Sequence, residues 1–576
     1  MSRTERVLSF LPLAAILLFG MILPAAVGFA GTVRSPEVLL AVVSDSEYRS
    51  AWRNLLTFAL VAVPLELALG LAIAWLIRPT RWRAALRVLL LVPWLISPVA
   101  NGVMWHFLFS RQSGLVSYLA AAAGAPGMPS PLAVPGTALA AAIATDVWRQ
   151  APLAAFLILP ALISIPVERW EQADLEGASI YVRLTQIVLP ALRPLLLMVT
   201  LLLFGLTAGN FDSVLVMTAG GPGSATVVPA LYSYRKAFAQ NDWPAGTASA
   251  WVIAGVVLLA GVLYIWLSRR ERKTNRGVGL VAPLSHAQTA PQPDRIILLG
   301  WRTQERIRQL IRIFFLVLVV VVTFLPILWT LLASFNIKPQ NLVSPPVWTI
   351  APDLNNYLEV DVTEPGFMNE VWTGLGLSTL TMLLTTGFAF LFAYALARTP
   401  WRGRSLFVQT LLVLASVPVM GFILPLNALV KQLGLYDSIT GVALAETAVL
   451  APLAAFVLYG YMAQAPTEQE EAARVEGAGF FRVLRDAVWP SVSGGVAATA
   501  IVLFVLSWNQ FLVPLSLSAD HVRTVQFAMV DVFKWDRELE WSAVAAAFVV
   551  ALLPLILLVT SAHRLLERFT LLPEGE

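Results

Sequence analysis

The sequence predicts an all-α, polytopic membrane protein, with about twelve transmembrane helices arranged as two parallel six-helix repeats. Three observations carry that prediction. Of the 576 residues, 58% are hydrophobic and only 13% charged. Together with a mean hydropathy of +0.74, this leaves too little polar surface to keep so long a chain dispersed in water. Apolar runs of about 20 residues, enough to cross a bilayer, recur along the whole chain. The two halves also repeat each other at a fixed offset.

The runs place helices near 7–30, 54–77, 86–109, 137–164, 192–218 and 246–268, and again near 311–334, 372–397, 405–432, 440–465, 493–517 and 541–563. They are continuously apolar rather than alternating, which favours helices over barrel strands. The first run is long for a signal sequence and further spans follow it, so it reads as the first membrane helix. The chain divides into a first half (1–268), a solvated basic linker (269–310) and a second half (311–576).

With the N-terminus inside, cytoplasmic segments hold 27 of the 39 Lys and Arg, outer loops hold 11, and Arg149 lies within a span. Cations are retained inside during insertion, so both termini are expected in the cytoplasm of a bacterial cell, with the chain in its plasma (inner) membrane. A net charge of +4 could suit nucleic acid, but 34 of the 39 cations are Arg, mostly beside apolar runs, where topology accounts for them. Membrane lipid is the expected environment, and no nucleic-acid partner is expected. There is no cysteine, the four histidines are scattered, and none of the five lysines follows a glycine. These facts argue against a metal site and exclude thiol chemistry and a Walker A phosphate loop.

The repeat is clearest at an offset of 300. Ala151-Pro152-Leu153-Ala154-Ala155-Phe156 returns unchanged as Ala451 through Phe456, and Pro166, Glu168, Glu171, Ala173, Glu176, Gly177, Ala178, Leu184, Val188 and Pro190 all match their counterparts. A weaker echo relates 78–83 to 398–404, between the second and third spans of each half. An even number of spans per half makes the repeat parallel, with a solute path between the halves.

Between the fourth and fifth spans of each half lies a polar, patterned cytoplasmic segment. It reads Glu171-Gln-Ala-Asp-Leu-Glu-Gly-Ala in the first half and Glu471-Ala-Ala-Arg-Val-Glu-Gly-Ala in the second, closing at Pro190 and Pro490. Each is expected to be a helix entered after Pro166 or Pro466 and broken at Gly177 or Gly477. A short amphipathic helix then follows, ending before the second proline. Such a helix–turn–helix is suited to docking in a groove and passing on rigid-body motion. For a single copy, an interfacial amphipathic helix would do as well.

These residues resemble the EAA loop of binding-protein-dependent ABC importer permeases, which implies the type I importer fold. In that family the loop docks on a nucleotide-binding subunit. The resemblance assigns this coupling role to Glu171, Ala173, Glu176, Gly177, Ala178 and Pro190, and to Glu471, Ala473, Glu476, Gly477, Ala478 and Pro490. Asn210-Phe-Asp-Ser, running on to Gly220-Gly-Pro-Gly223, looks like one permease of the maltose and glycerol-3-phosphate importers. Trp508-Asn-Gln-Phe511 and Pro352-Asp-Leu-Asn-Asn-Tyr357 look like its partner. The resemblance therefore implies two permeases fused in one chain, a separate ABC ATPase dimer that binds ATP and Mg, an extracytoplasmic solute-binding protein, and a carbohydrate or related solute. Disaccharide, oligosaccharide and glycerophosphate all stay open.

Polar groups in the fifth and eleventh spans are candidates for the solute path: Asn210, Phe211, Asp212, Trp508, Asn509 and Gln510. The asparagines serve equally well as bonds between neighbouring helices. The rival reading is a twelve-helix secondary transporter driven by an ion gradient through Asp146 and Glu446, which occupy equivalent positions in the fourth and tenth spans. Against it, Arg149 lies one turn from Asp146, and the twin loops have no task in such a transporter. No polar loop gathers an acid, a base and a nucleophile, so a membrane-embedded enzyme is disfavoured.

Overall fold

The computed structural model describes residues 3–80, 83–277, 301–343, 345–363, 366–532 and 541–566. Much of the 269–310 linker, including His286, lies outside the described residues. Among the described residues, ten helices are long and apolar enough to cross a membrane: Glu5–Arg34, Ser46–Ile77, Pro135–Ile163, Ile180–Gly209, Trp243–Arg270, Arg306–Ser334, Phe367–Arg398, Ile439–Gln464, Phe480–Trp508 and Trp541–Ser561. Two bent pairs complete twelve when each is counted as one span. The protein is thus an all-α, multi-pass membrane protein of two repeats.

The sequence prediction needs three corrections, each with a local cause. The third and ninth spans are not straight. Ala85–Leu95 and Pro98–Leu108 meet at 84°, and Arg404–Ala415 and Met420–Gln432 at 85°. The residue before a proline is driven to extended backbone; Ser97 takes ψ 152° and caps the next helix by accepting from the Ala100 amide at 3.1 Å. Pro418 stands at the matching break, 320 residues on. The fifth and eleventh spans stop early, at Gly209 and Trp508. Separate short helices follow over Asp212–Thr218 and Leu512–Leu517. Finally, the helix after each Gly hinge does not end before Pro190 or Pro490 but runs on into the membrane span. The π-turns Arg183–Val188 and Leu484–Val488 end one residue short of the prolines, with Leu189 and Trp489 between, and the wider turn accommodates a ring that lacks an N–H and crowds the carbonyl four residues back.

The first span of each half packs on the other half. Phe10 meets Phe392 edge-on at 5.2 Å, Leu13 and Leu17 join a buried cluster otherwise made of second-half residues, and Gly20 lies so close that an added Cβ would fall 2.4 Å from the Cβ of Ala448. In return the seventh span is held to the first half by Trp148 Nε1 donating to the Val322 carbonyl (2.9 Å) and Trp329 Nε1 donating to the Ser113 carbonyl (3.1 Å). A two-stranded antiparallel hairpin, Ile337–Gln340 with Val347–Ile350, adds a clasp. Asn341 donates from Nδ2 to the Gly114 carbonyl and from its amide to the Gln112 carbonyl, both at 2.8 Å. The exchange of first spans and this clasp make the halves one body around a shared interface.

Candidate functional site

Two places gather chemistry: the twin loops and a cavity between the halves. In the first loop, helix Val167–Leu175 ends at Gly177, whose φ of +64° needs a residue without a Cβ. In the second, Glu468–Val475 ends at Gly477, with φ +82°. The Ala178 and Ala478 amides reach back to the Ala173 and Ala473 carbonyls, at 2.9 Å in both copies. Glu171, Glu176, Gly177 and Pro190 are exposed, as are Glu471, Glu476, Gly477 and Pro490. Ala173 is buried, while Ala178, Ala473 and Ala478 are half-buried. The carboxylates thus face outward, and the small residues close the turn.

The inward face of each loop is tied to the end of the preceding transmembrane hairpin, a feature not read from the sequence. In the second half, buried Glu470 accepts from Arg398 (Nε 2.9 Å, Nη2 2.6 Å) and from Tyr394 Oη at 3.0 Å. Arg398 also donates to the carbonyls of Met462 and Ala465, at 2.8 and 3.1 Å. In the first half Trp170 takes the place of Glu470, and Arg78 takes the place of Arg398. The guanidinium lies 3.7 Å from the Trp170 ring centroid. The same mechanical joint is therefore built as a buried ion pair in one half and as a cation–π contact in the other. The echo between 78–83 and 398–404 was its only sequence signal.

On the outward face, Leu175 and Val475 are 90% and 89% exposed. Tyr181 and Phe481, just past each hinge, are 72% and 75% exposed. Two apolar knobs standing at equivalent positions beside exposed carboxylates make a surface fit for a partner protein.

The cavity, about 280 Å³, lies where the bends of the third and ninth spans meet the ends of the fifth and eleventh. Asn210, Phe211, Asp212, Asn509 and Gln510 line it. Trp508 does not: it stacks on Phe504 at 6.3 Å, and its carbonyl accepts from Gln526 Nε2 at 3.0 Å. Trp508 is the last residue of its helix and is buried against its neighbours, whereas Asn509 and Gln510 lie in the break that follows. Both asparagines also bond neighbouring helices. Asn210 Nδ2 donates to Asp146 at 3.1 Å, and Asn509 Nδ2 donates to the Leu95 carbonyl, freed by the break at Pro98, also at 3.1 Å. Their Oδ1 atoms remain buried and unpartnered. Arg149, read in the sequence only as a neutraliser of Asp146, also lines the cavity.

Asp146 and Glu446 have related structural tasks. Asp146 joins the fourth span to the fifth through Asn210. Glu446, fully buried, accepts from Thr381 Oγ1 at 3.0 Å and from Ser507 Oγ, stapling the eighth, tenth and eleventh spans. On the opposite, loop-rich face, Asp437 accepts from the Ser518 hydroxyl (2.7 Å), the amides of Ala519 and His521 (3.0 and 3.1 Å) and His521 Nδ1 (2.7 Å). Burial raises the Asp437 carboxyl, but these bonds outweigh it and hold the group well below the usual range. The Asp437 bond in turn raises His521.

Residues 66–273 and again 386–571 match the family described as "Binding-protein-dependent transport system inner membrane component". Among curated proteins, the chain is 29% identical over 234 residues to the trehalose/maltose transport system permease protein MalF of Thermococcus litoralis, covering 40% of this chain and 79% of that one. It is 26% identical over 258 residues to MalG of the same system and organism, covering 44% and 92%. It is 31% identical over 252 residues to the diacetylchitobiose uptake system permease protein NgcG of Streptomyces coelicolor, covering 42% and 80%. Each of these relatives matches less than half of this chain along most of its own length, and the family match occurs twice.

Proposed function

Because the chain belongs to the family of binding-protein-dependent transport system inner membrane components, carried twice in one polypeptide, we propose that it forms the complete membrane pathway of an ATP-driven carbohydrate importer. The two halves act as the two permeases, and alternating access runs through the cavity between them. The twin loops dock on a separate ABC ATPase dimer, which binds ATP and Mg; this chain supplies transport, not catalysis. An extracytoplasmic solute-binding protein delivers the solute. We place both termini and both loops in the cytoplasm, from the distribution of Lys and Arg; six crossings between the loops, counting each bent pair as one, support a shared side for the two.

The single observation that carries the coupling reading is the pair of exposed knobs, Leu175 and Val475, each on a helix whose other face is fastened by Arg78 or Arg398. A partner gripping the knobs pulls on a fastened lever and so moves the membrane helices. The relatives named for trehalose, maltose and diacetylchitobiose support a carbohydrate solute. The ion-coupled alternative loses its anchors: Asp146 and Glu446 hold helices together, and the family couples to a binding protein.

The test is reconstitution of the chain with its candidate ATPase and binding protein in liposomes. Solute should stimulate ATP hydrolysis, and Glu476→Ala or Gly477→Val should abolish stimulation while the chain still elutes as a folded species. Uptake that persists without ATP and collapses with a protonophore would restore the ion-coupled alternative.

A further inference from the structure

The cavity is lined by pairs of positions 300 residues apart, and three of the seven pairs are apolar on both sides: Leu153 with Leu453, Leu202 with Val502, Leu206 with Leu506. A charge breaks the pairing at two places. Arg149 stands where the second half has Val449, and Asp212 where it has Leu512, and all four residues line the void. A nearly symmetric apolar chamber therefore carries its charge on one wall. Arg149 is 7% exposed and its Nε has no partner; Asp212 Oδ1 and Asn210 Oδ1 are likewise buried and unpartnered. Polar atoms left so beside a void are costly unless a solute or water satisfies them.

We propose that Arg149 and Asp212 are the solute-selecting pair of this cavity, and that they select an uncharged carbohydrate over an anionic one. The proposal rests on the transport reading above and narrows its solute class. Among the described residues lining the cavity, Arg149 is the one cation. Three carboxylates, Asp146, Glu66 and Asp212, lie within its electrostatic reach; Asp146 approaches to 3.9 Å. One ionised carboxylate suffices to cancel the guanidinium, so an entering carboxylate, sulfonate or phosphate finds no free positive charge. It also meets Asp212 head-on after losing its own water. A neutral sugar suffers neither penalty. Its hydroxyls donate to Asp212 and Asn210 and accept from Arg149, while Trp94, Phe156 and Phe211 contribute apolar lining for the ring. Glu66 and Asp146, set behind the guanidinium, act as positioning residues. With the charged side chains of the lining confined to the first half, the sugar enters one way round.

The experiment measures equilibrium binding to the full chain in nanodiscs by calorimetry, with maltose, trehalose and maltotriose as neutral probes and glycerol 3-phosphate and a digalacturonate as anionic ones. No ATPase is present, so this outcome is separate from that of the coupling reading. The wild type is expected to bind a neutral probe at least 10-fold more tightly than either anion. Isosteric Asp212→Asn should weaken the neutral probe about 10-fold or more, as loss of a charged hydrogen-bond partner does. Adding Asp146→Asn, which frees the guanidinium, should shift the preference toward the anions by 10-fold or more. Leu433→Ser, at an exposed position outside the cavity lining, serves as the control for folding and should change neither value. A wild type that binds an anion as well as its best neutral probe, or binds no neutral probe, overturns the proposal. So do variants that move neither value.

Discussion

Replacing Arg398 with alanine tests the joint beneath the second loop most sharply. Glu470 is 3% exposed and the Arg398 side chain 11% exposed, so solvent screens this pair little. Removal of one partner from such a buried pair costs about 3–5 kcal/mol, because the other charge is left buried and uncompensated. Tyr394 Oη would still donate to Glu470 at 3.0 Å, which places the expected cost near the lower end, about 3 kcal/mol. The first half gives an internal comparison. Arg78→Ala removes a cation–π contact at 3.7 Å, worth about 0.5–2 kcal/mol. The assay is hydrogen–deuterium exchange of the two loop helices in the ATPase-free chain. A loss of 3 kcal/mol corresponds to about a 100-fold loss of protection in the amides of Glu468–Val475 for Arg398→Ala. Val167–Leu175 should lose only about 2- to 30-fold for Arg78→Ala. Equal effects in the two halves, or protection of Glu468–Val475 unchanged by Arg398→Ala, would refute the idea that each joint fastens its loop.

Three further outcomes are expected. Gly477→Ala places a Cβ on a residue at φ +82°, costing about 1–2 kcal/mol, and solute-stimulated ATP hydrolysis should drop several-fold with expression preserved. Leu175→Ser combined with Val475→Ser should abolish co-purification with the ATPase while leaving the melting temperature of the chain unchanged, since both side chains stand about nine-tenths exposed. The Asp437–His521 clasp should be strongest at mildly acidic pH. His521, raised by Asp437, contributes stability that is present in acid and lost as pH rises through its folded value; Asp437, held low, contributes stability lost as pH falls through its own. Exchange of the 518–522 amides should therefore show a protection maximum between those limits. His521→Ala should remove its alkaline edge.

The fold was legible because its causes are local: apolar runs fix the spans, and the positive-φ glycines fix both hinges. What escaped the sequence depends on pairs brought together from far apart. The bends at Pro98 and Pro418 could have been read from the proline rule, but each lies inside an apolar run that masks it. The joint at Glu470 could not, because its partner Arg398 is 72 residues away and its first-half counterpart uses Trp170 instead. Asn210, Asp212, Asn509 and Gln510, singled out in the sequence as candidates, line the cavity between the halves, yet Trp508 does not. Arg149 reaches the cavity only because the fourth span packs beside the end of the fifth. Motif neighbours share a sequence, not a direction.

The chain has no cysteine, so a single one introduced at either knob is chemically unique. Leu175→Cys and Val475→Cys, made separately, can be probed with a membrane-impermeant maleimide in vesicles of known sidedness and then by disulfide cross-linking to an ATPase carrying its own introduced cysteine. Both positions should label only from the cytoplasmic side, and both should cross-link, with yield changing on ATP addition. Labelling from opposite sides, or capture of the ATPase at neither position, would contradict the account.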